Sequence, residues 1–596
     1  MINKPNFLLI VVDEERYPPL YESPEIRAWR LTNLPTHERL RANSVELHRH
    51  YIGSAACCPS RATMFTGHYP SLHGVSQTNG IAKSAFDSDM FWLPPNTVPT
   101  MGNYFREAGY QTYYKGKWHI SYEDILVPGT KDDMPSYNPA TGVPDPQREQ
   151  LYLSADPLYA FGFSSWIGPE PHGRNPRNSA SSAATGLSGR DVVYGTETVK
   201  LIEALDHLKR TDSGAKPWLV VASFVNPHDI ALYGMLTDHL PNLFHFQVDP
   251  MPEVLPPPTI GEFLNTKPRC QASYRDTYPI ALQPIVNESF YRKLYYQLQK
   301  NADLQIMKVL EALSRSSFSD DTIVIFTSDH GELLGAHGHL HQKMYCAYEE
   351  VLHVPFLIHN KRLFPHRQSF SELTSHVDLL PTMLGLADAD IPGIQYRLQS
   401  CFSEVRPFVG RDLTPYLLGR KELGGVSCRR EPVYFMTDDD ITRGQHQFNP
   451  LGRAYTSVVQ PNHIETVIAD LPGQHGLPNQ LWKFSRYFDN EQFWSEPGVR
   501  DLTIQLFGEV CADPKQTSTP TCHVTCKTDP VPEQYEFYNL TEDPLETRNL
   551  AHPSWATPQS EKVRLHMVRL LEEQRSQKRL RPEQGDLRYK GNTDFR

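Results

Sequence analysis

Three short runs along the chain are almost continuously apolar and rich in β-branched residues: Phe7-Leu8-Leu9-Ile10-Val11-Val12, Trp218-Leu219-Val220-Val221-Ala222-Ser223-Phe224-Val225 and Ile323-Val324-Ile325-Phe326-Thr327. A run without a polar face predicts a strand covered on both sides. Helical periodicity lies between the runs, as over Phe290 to Leu313, and the alternation predicts an open α/β sheet flanked by helices. The residues that follow each run carry the chemistry. The first ends in Asp13-Glu14, the second in Asn226-Pro227-His228-Asp229 and the third in Ser328-Asp329-His330-Gly331-Glu332. One Asp after a strand is usually a turn or a helix cap. Open α/β sheets bind ligands beyond the carboxyl ends of their strands, so three such endings predict one shared site.

Beyond about residue 425 the pattern changes. Pro432 to Met436, Ala454 to Val459, Leu481 to Tyr487 and Glu536 to Leu540 are short, aromatic and partly alternating, which predicts a smaller antiparallel sheet. Val563, Met567, Leu570 and Leu571 recur on one helix face, a packing stripe or an oligomer contact. The predicted organisation is an α/β domain over 1–425, an antiparallel-sheet subdomain over 426–550 and a terminal helix and tail over 551–596. Two proline-rich stretches, Val127 to Arg190 and Ile230 to Pro284, read as irregular insertions on the rim of a pocket. Trp166, His172 and Tyr233 would give that rim a partly aromatic character.

Composition narrows the classes. The 596 residues exceed what a single small core organises. A net charge of −11 without a basic arm argues against nucleic-acid binding. No apolar run approaches the roughly 20 residues that span a bilayer. The strand-like segment begins within a few residues of the start, so the expectation is a cytoplasmic protein without a membrane segment. Nine cysteines, with Cys270, Cys346, Cys401 and Cys428 scattered, do not make a disulfide framework. Cys511, Cys522 and Cys526 with His523 cluster loosely, but their spacing fits no standard zinc pattern and favours free thiols.

The most informative stretch is Ala56-Cys57-Cys58-Pro59-Ser60-Arg61-Ala62-Thr63-Met64-Phe65-Thr66-Gly67. Pro59 suits the first position of a helix and Thr66-Gly67 its end. Cys57 would then face a helix N-terminus, with Arg61 one turn in, surroundings that lower a thiol pKa and predict a reactive cysteine. A buried structural thiol is the alternative, and it leaves Arg61 unexplained.

This stretch resembles the signature of the sulfatase family, Cys-X-Pro-Ser-Arg followed by X-X-X-Leu-Thr-Gly, with Phe65 at the Leu position. Gly109 to His119 resembles the second sulfatase signature and supplies Lys117 and His119. Asn226-Pro227-His228 is similar to the segment bearing an active-site His, and Ser328-Asp329-His330-Gly331 with Lys343 to the metal loop and second sulfate-binding lysine. Ser375 to Thr382 and Tyr538 to Pro544 resemble two structural landmarks, so the resemblance runs over about residues 5 to 551.

The resemblance implies an alkaline-phosphatase-like fold, a large mixed β-sheet flanked by helices with a smaller C-terminal antiparallel sheet. It implies that a formylglycine-generating or equivalent maturation enzyme oxidises Cys57 to formylglycine (3-oxoalanine), while Cys58 stays a thiol. It implies one divalent cation held by Asp13, Glu14, residue 57, Asp329 and His330. The catalytic set it implies is Cys57, Arg61, Lys117, His119, His228 and Lys343, acting on a small-molecule sulfate monoester of an aryl or small alkyl alcohol.

Two positions depart from the family pattern. Many sulfatases carry paired Asp where Asp13-Glu14 stands, and Asp-Asn where Asp329-His330 stands. The Asp-His pair is similar to the phosphonate monoester hydrolase and choline sulfatase branches, and an imidazole ligand makes Mn2+ a rival to the usual Ca2+. Lys117 and His119 weigh against the phosphonate branch, which lacks them. Glu14 either reaches the metal or salt-bridges beside it. The alternatives are a phosphonate monoester or phosphodiester hydrolase on the same scaffold, and a non-catalytic anion-binding relative with Cys57 unconverted. His337, His339 and His341 crowd the loop of Lys343 and serve either a substrate pocket or a solvated turn. Asn79, before Gly80, is either a substrate contact or a turn former, and the Asn-Gly pair favours the turn. The terminal helix makes a homo-oligomer an expectation.

Overall fold

The computed structural model describes residues 4–80, 83–87, 89–171, 175–211, 215–419, 431–444, 447–449, 451–473, 478–493, 501–502, 524–525 and 529–583. His172, Cys428 and the Cys511, Cys522, His523, Cys526 cluster lie outside the described residues.

Strands β1 (Asn6–Asp13), β2 (Ser44–Leu47), β3 (Gln111–Gly116), β4 (Trp218–Pro227), β5 (Thr322–Ser328), β6 (Phe356–His359) and β7 (Gln368–Phe370) form one sheet in the order β3-β4-β1-β5-β6-β2-β7. The strands β3, β4, β1 and β5 run parallel, whereas β6 opposes β5 and β2. The three apolar runs are the central strands β1, β4 and β5, and the missing polar alternation has a direct cause. Phe7, Leu9 and Val11 pack on one face with Met64, Phe65 and Trp118. Leu8, Ile10 and Val12 pack on the other with Ile202, Val309 and Leu313. Helix α1 (Cys57–Thr66) covers the first face, and α2 (Arg190–Thr211) and α4 (Glu288–Arg315) cover the second; α3 (Arg269–Ala281) precedes α4.

Parallel strands deliver their carboxyl ends to one edge. Asp13 pairs with Pro227, Val12 with Ser328 and Gly116 with Ser223. The residues leaving that edge are Glu14, Lys117, His228 and Asp329. The expected convergence therefore gains a fourth strand end, that of β3.

The second sheet is antiparallel, in the order β8 (Val433–Thr437), β9 (His463–Leu471), β10 (Gln480–Phe488) and β11 (Gln534–Asn539). Ala454 to Val459, expected as a strand, is a loop with one bridge, from Ala454 to Phe448. The strand is instead β9, whose Glu465 gives it the look of a solvated segment. Glu465 is buried because Tyr434, Arg486, Arg575 and Arg579 all converge on its carboxylate. Met567 and Leu571 of α5 (Pro558–Lys578) are buried with Trp482 and Phe484, so the terminal stripe packs within the chain.

The two insertions are less irregular than expected: one contains the helix Pro146–Ala155, the other α3. Trp166 and Tyr233 do not form a rim. Both are buried, Trp166 donating to Gly116 O (2.9 Å) and Tyr233 packing on Phe246 and Phe290. Among the described residues no helix is long and apolar enough to cross a membrane.

Gly116 ends β3 at φ 95°, and a Cβ there would lie 1.8 Å from Ser223 O. Gly129 has a similar φ of 80° with nothing within 4 Å. Gly116→Ala is therefore expected to destabilise the protein by about 1–3 kcal/mol more than Gly129→Ala. Denaturation of the two variants in parallel checks this, and equal losses would contradict it.

Candidate active site

Helix α1 begins at Cys57, two residues before the proline expected to start it. Pro59 sits third, still within the first turn, where a missing N–H breaks no helical bond. Gly67 closes the helix at φ 71°. The start is fastened from the small sheet: the loop after β8 supplies Asp439, which accepts from Ala56 N (3.1 Å) and Thr78 N (3.0 Å). Cys57 is thereby held at the sheet edge, its Sγ 3.1 Å from His330 Nε2 and 3.7 Å from Asp13 Oδ1.

Arg61 lies one turn further on and is fully buried. Its Nε donates to Asp329 Oδ2 (2.7 Å), Nη2 to Asp13 Oδ2 (3.1 Å) and Nη1 to Lys117 O (2.8 Å) and Ser223 Oγ (2.9 Å). One guanidinium thus ties together the ends of four strands, using the planar fork that suits paired carboxylates. Lys117 Nζ adds a second cation at Asp13 Oδ2 (2.7 Å). Both cations hold the Oδ2 atoms, so the Oδ1 atoms face the centre, that of Asp329 also accepting from Glu14 N (3.1 Å).

That centre fits a cation. Asp13, Cys57, Asp329 and His330 each place one donor atom within 4.8 Å of the others. His330 Nδ1 lies 3.1 Å from Gly331 O, which fixes the proton on Nδ1 and turns the Nε2 lone pair toward Asp13 Oδ1 (3.6 Å) and Asp329 Oδ1 (3.7 Å). Asp13 Oδ1, Asp329 Oδ1 and His330 Nε2 converge around the side chain at 57, a donor set of the kind that holds a divalent cation. Burial raises the Asp13 carboxyl, but Lys117, His228 and Arg61 outweigh it and hold Asp13 ionised, well below the ordinary range. Burial and the charge of Asp13 raise Asp329.

Glu14 turns the other way, at φ 77°. Its Oε2 accepts from Lys343 Nζ (2.8 Å), and its donors group with Asp13 and His228 rather than with Asp329. Its backbone N–H donates to Asp329 Oδ1 (3.1 Å). Burial, then nearby Glu332 and Asp13, push the Glu14 carboxyl well above its usual range despite Lys343. His228 is partly buried against Asp229, and burial with Lys117 lowers its imidazole to about 4. His119 Nε2 meets Asn79 Oδ1 at 2.8 Å.

The structure thus brings Asp13, Glu14, Cys57, Arg61, Lys117, His228, Asp329, His330 and Lys343 to one edge. His119 follows Lys117 on the same turn. The thiol expectation fails: burial, followed by Asp13, pushes Cys57 up to about 12, because desolvation outweighs the helix terminus and the lysines. The loop histidines divide: His339 is exposed on the turn and shares Glu288 (3.7 Å) with His341, whereas His337 faces inward. His337 is buried between Glu262 (2.9 Å) and Glu350 (3.5 Å), while His341 pairs with Glu288.

Sequence reasoning missed several supports. Asn79 is more than a turn former, since it fixes His119. Glu170 Oε2 accepts from Trp118 N and His119 N (3.1 Å each), holding the turn where His119 adopts φ 57°. Asp439 was visible only as part of the acidic triplet Asp438-Asp439-Asp440 after β8.

Replacing Arg61 by Met leaves two buried carboxylates without their shared partner. In the cation-stripped protein the expected loss is about 3–5 kcal/mol, read from urea denaturation. A loss below about 1 kcal/mol would contradict the role given to this fork.

Comparison with known proteins places these features. The sulfatase family model matches residues 5–389, which include every residue brought to the edge. The uncharacterized sulfatase YidJ of Escherichia coli K12 is 28% identical over 400 residues, covering 66% of this chain and 70% of its own. Iduronate 2-sulfatase of Homo sapiens is 23% identical over 432 residues, covering 65% and 70%. The phosphonate monoester hydrolase of Agrobacterium radiobacter shares the fold, with a TM-score of 0.54 at 19% identity over 97% and 96% of the two chains. The large mixed sheet with its small antiparallel companion is the expected alkaline-phosphatase-like architecture, and the chain belongs to the sulfatase family.

Proposed function

We propose that this protein hydrolyses a sulfate monoester of an aryl or small alkyl alcohol, with Cys57 matured to formylglycine and one divalent cation, Ca2+ or Mn2+, beside it. The observation that carries the reading is the meeting of residue 57, Asp13, Asp329 and His330 within 4.8 Å, flanked by Lys117 and Lys343. Catalysis is assigned to 1–425, with 426–550 and 551–596 as its brace.

A sulfate ester is an anion and a poor electrophile, so hydrolysis needs charge neutralised where it develops. When bound between Asp13, Asp329, His330 and residue 57, the cation supplies Lewis acidity toward a sulfate oxygen and toward the nucleophile. Lys117 and Lys343 bind the remaining sulfate oxygens; burial lowers each, but Asp13 raises the first and the residue-57 side chain, then Glu14, the second, so both stay protonated. Arg61 orients the carboxylates without touching substrate. A hydroxyl of the hydrated residue-57 aldehyde is the nucleophile. His228, held low in the free site by burial and Lys117, becomes protonated once the bound sulfate anion takes up that lysine's charge, and gives the proton to the departing alcohol. His119, held by Asn79, takes a proton from the second hydroxyl, which lets sulfate leave by carbon–oxygen cleavage.

Phosphorus oxyanions fit the same ring of cations, so the substrate class is tested directly. The expected result is a higher kcat/KM for an aryl sulfate than for the matched aryl phosphonate monoester. A large preference for the phosphonate would overturn the sulfate assignment. Maturation is read separately by mass spectrometry of the peptide containing Cys57, which is expected to be lighter by roughly 18 Da after production in a competent host. An unmodified thiol there would favour an anion-binding protein without turnover.

A further inference from the structure

One buried carboxylate beside the site has no role in the scheme above. Asp229 follows His228 directly, is 1% exposed and is not among the grouped cation donors. Its Oδ1 lies 3.3 Å from His228 Nδ1, and its Oδ2 accepts from the backbone N–H of Ser181 (2.6 Å). Ser181 comes from the insertion between β3 and β4 and is itself tied down, since its carbonyl accepts from His245 N (2.6 Å). Each oxygen of Asp229 therefore has its own donor, and the carboxylate cannot rotate without losing one. A carboxylate fixed against Nδ1 keeps the proton on that nitrogen and leaves Nε2 for exchange.

We propose that Asp229, braced by Ser181, is a positioning residue that sets His228 to protonate the leaving alcohol. The inference rests on the sulfatase reading. As the residue-57 oxygen bonds to sulfur, the bond from sulfur to the leaving oxygen breaks. That oxygen keeps the electron pair and takes the proton from His228 Nε2. The alcohol departs neutral, and the imidazole returns to its neutral form with Nδ1–H still donated to Asp229. Asp229 Oδ1 keeps accepting from Nδ1–H and so favours the imidazolium when it forms, as in other carboxylate–imidazole pairs. The insertion thus serves the proton donor rather than only walling a pocket.

The test uses leaving groups that differ in their need for a proton. Asp229→Asn offers a single oxygen to two donors and cannot satisfy both. It is expected to lower kcat/KM about 10- to 100-fold on phenyl sulfate, within what a positioned acid contributes, and less than about 3-fold on 4-nitrophenyl sulfate. His228→Ala is expected to give the same steepened leaving-group dependence, and adding Asp229→Asn to it to cost nothing further. A downfield imidazole proton resonance, seen in wild type, is expected to vanish in both single variants. If Asp229→Asn does not fold, Asp229→Ser replaces it with the same readouts. Equal losses on the two esters, no loss, or a further loss in the His228→Ala background would overturn the proposal while leaving the sulfatase reading intact. A wild-type protein inactive on every sulfate ester would overturn both.

Discussion

The site depends on one buried cation of the chain's own, the guanidinium of Arg61, shared between Asp13 and Asp329. Two carboxylates at 0% exposure repel each other and lose hydration, an arrangement that holds only with close counter-charge. Arg61 supplies it with directional bonds, so the outer oxygens of both acids are immobilised and the inner ones point to a common centre. Because the same guanidinium binds Lys117 O and Ser223 Oγ, charge pairing and strand-end geometry are one constraint. Residue 57 inherits its position from it, sitting one helical turn before Arg61 on the same helix.

A second set of buried ionic contacts joins the large sheet's loops to the small sheet. Lys483 of β10 pairs with Glu349 (2.8 Å) and Glu546 (2.9 Å), and Lys267 binds Tyr538 OH (2.7 Å) and Glu262 (3.1 Å). Glu262 in turn meets His337, which stacks on Tyr348 with 3.6 Å between ring centroids. Removing one partner from such a network strands a buried charge, so the two sheets are locked in register. That register brings Asp439 to the start of α1. The small sheet therefore supports the chemistry through the backbone of Ala56, although it contributes none of the grouped cation donors.

Much of the site was legible because its chemistry is written where strands end. Asp13, His228 and Asp329 each follow an apolar run, and helix α1 carries its own signature from Cys57 to Gly67. What stayed hidden is support arriving from far along the chain. Asp439 reaches Ala56 across 383 positions, and Glu170 reaches the His119 turn across 51. No local pattern marks such pairs. The thiol was misread for a different reason: the helix terminus and Arg61 were seen correctly, but complete burial, invisible in sequence, decides the balance.

The decisive measurement is an anomalous difference map from manganese-soaked crystals of the matured protein. The account predicts one strong peak between the inner oxygens of Asp13 and Asp329, within bonding distance of His330 Nε2 and the side chain at 57. A peak displaced to Glu14 and His228, or none between the two aspartates, would contradict it.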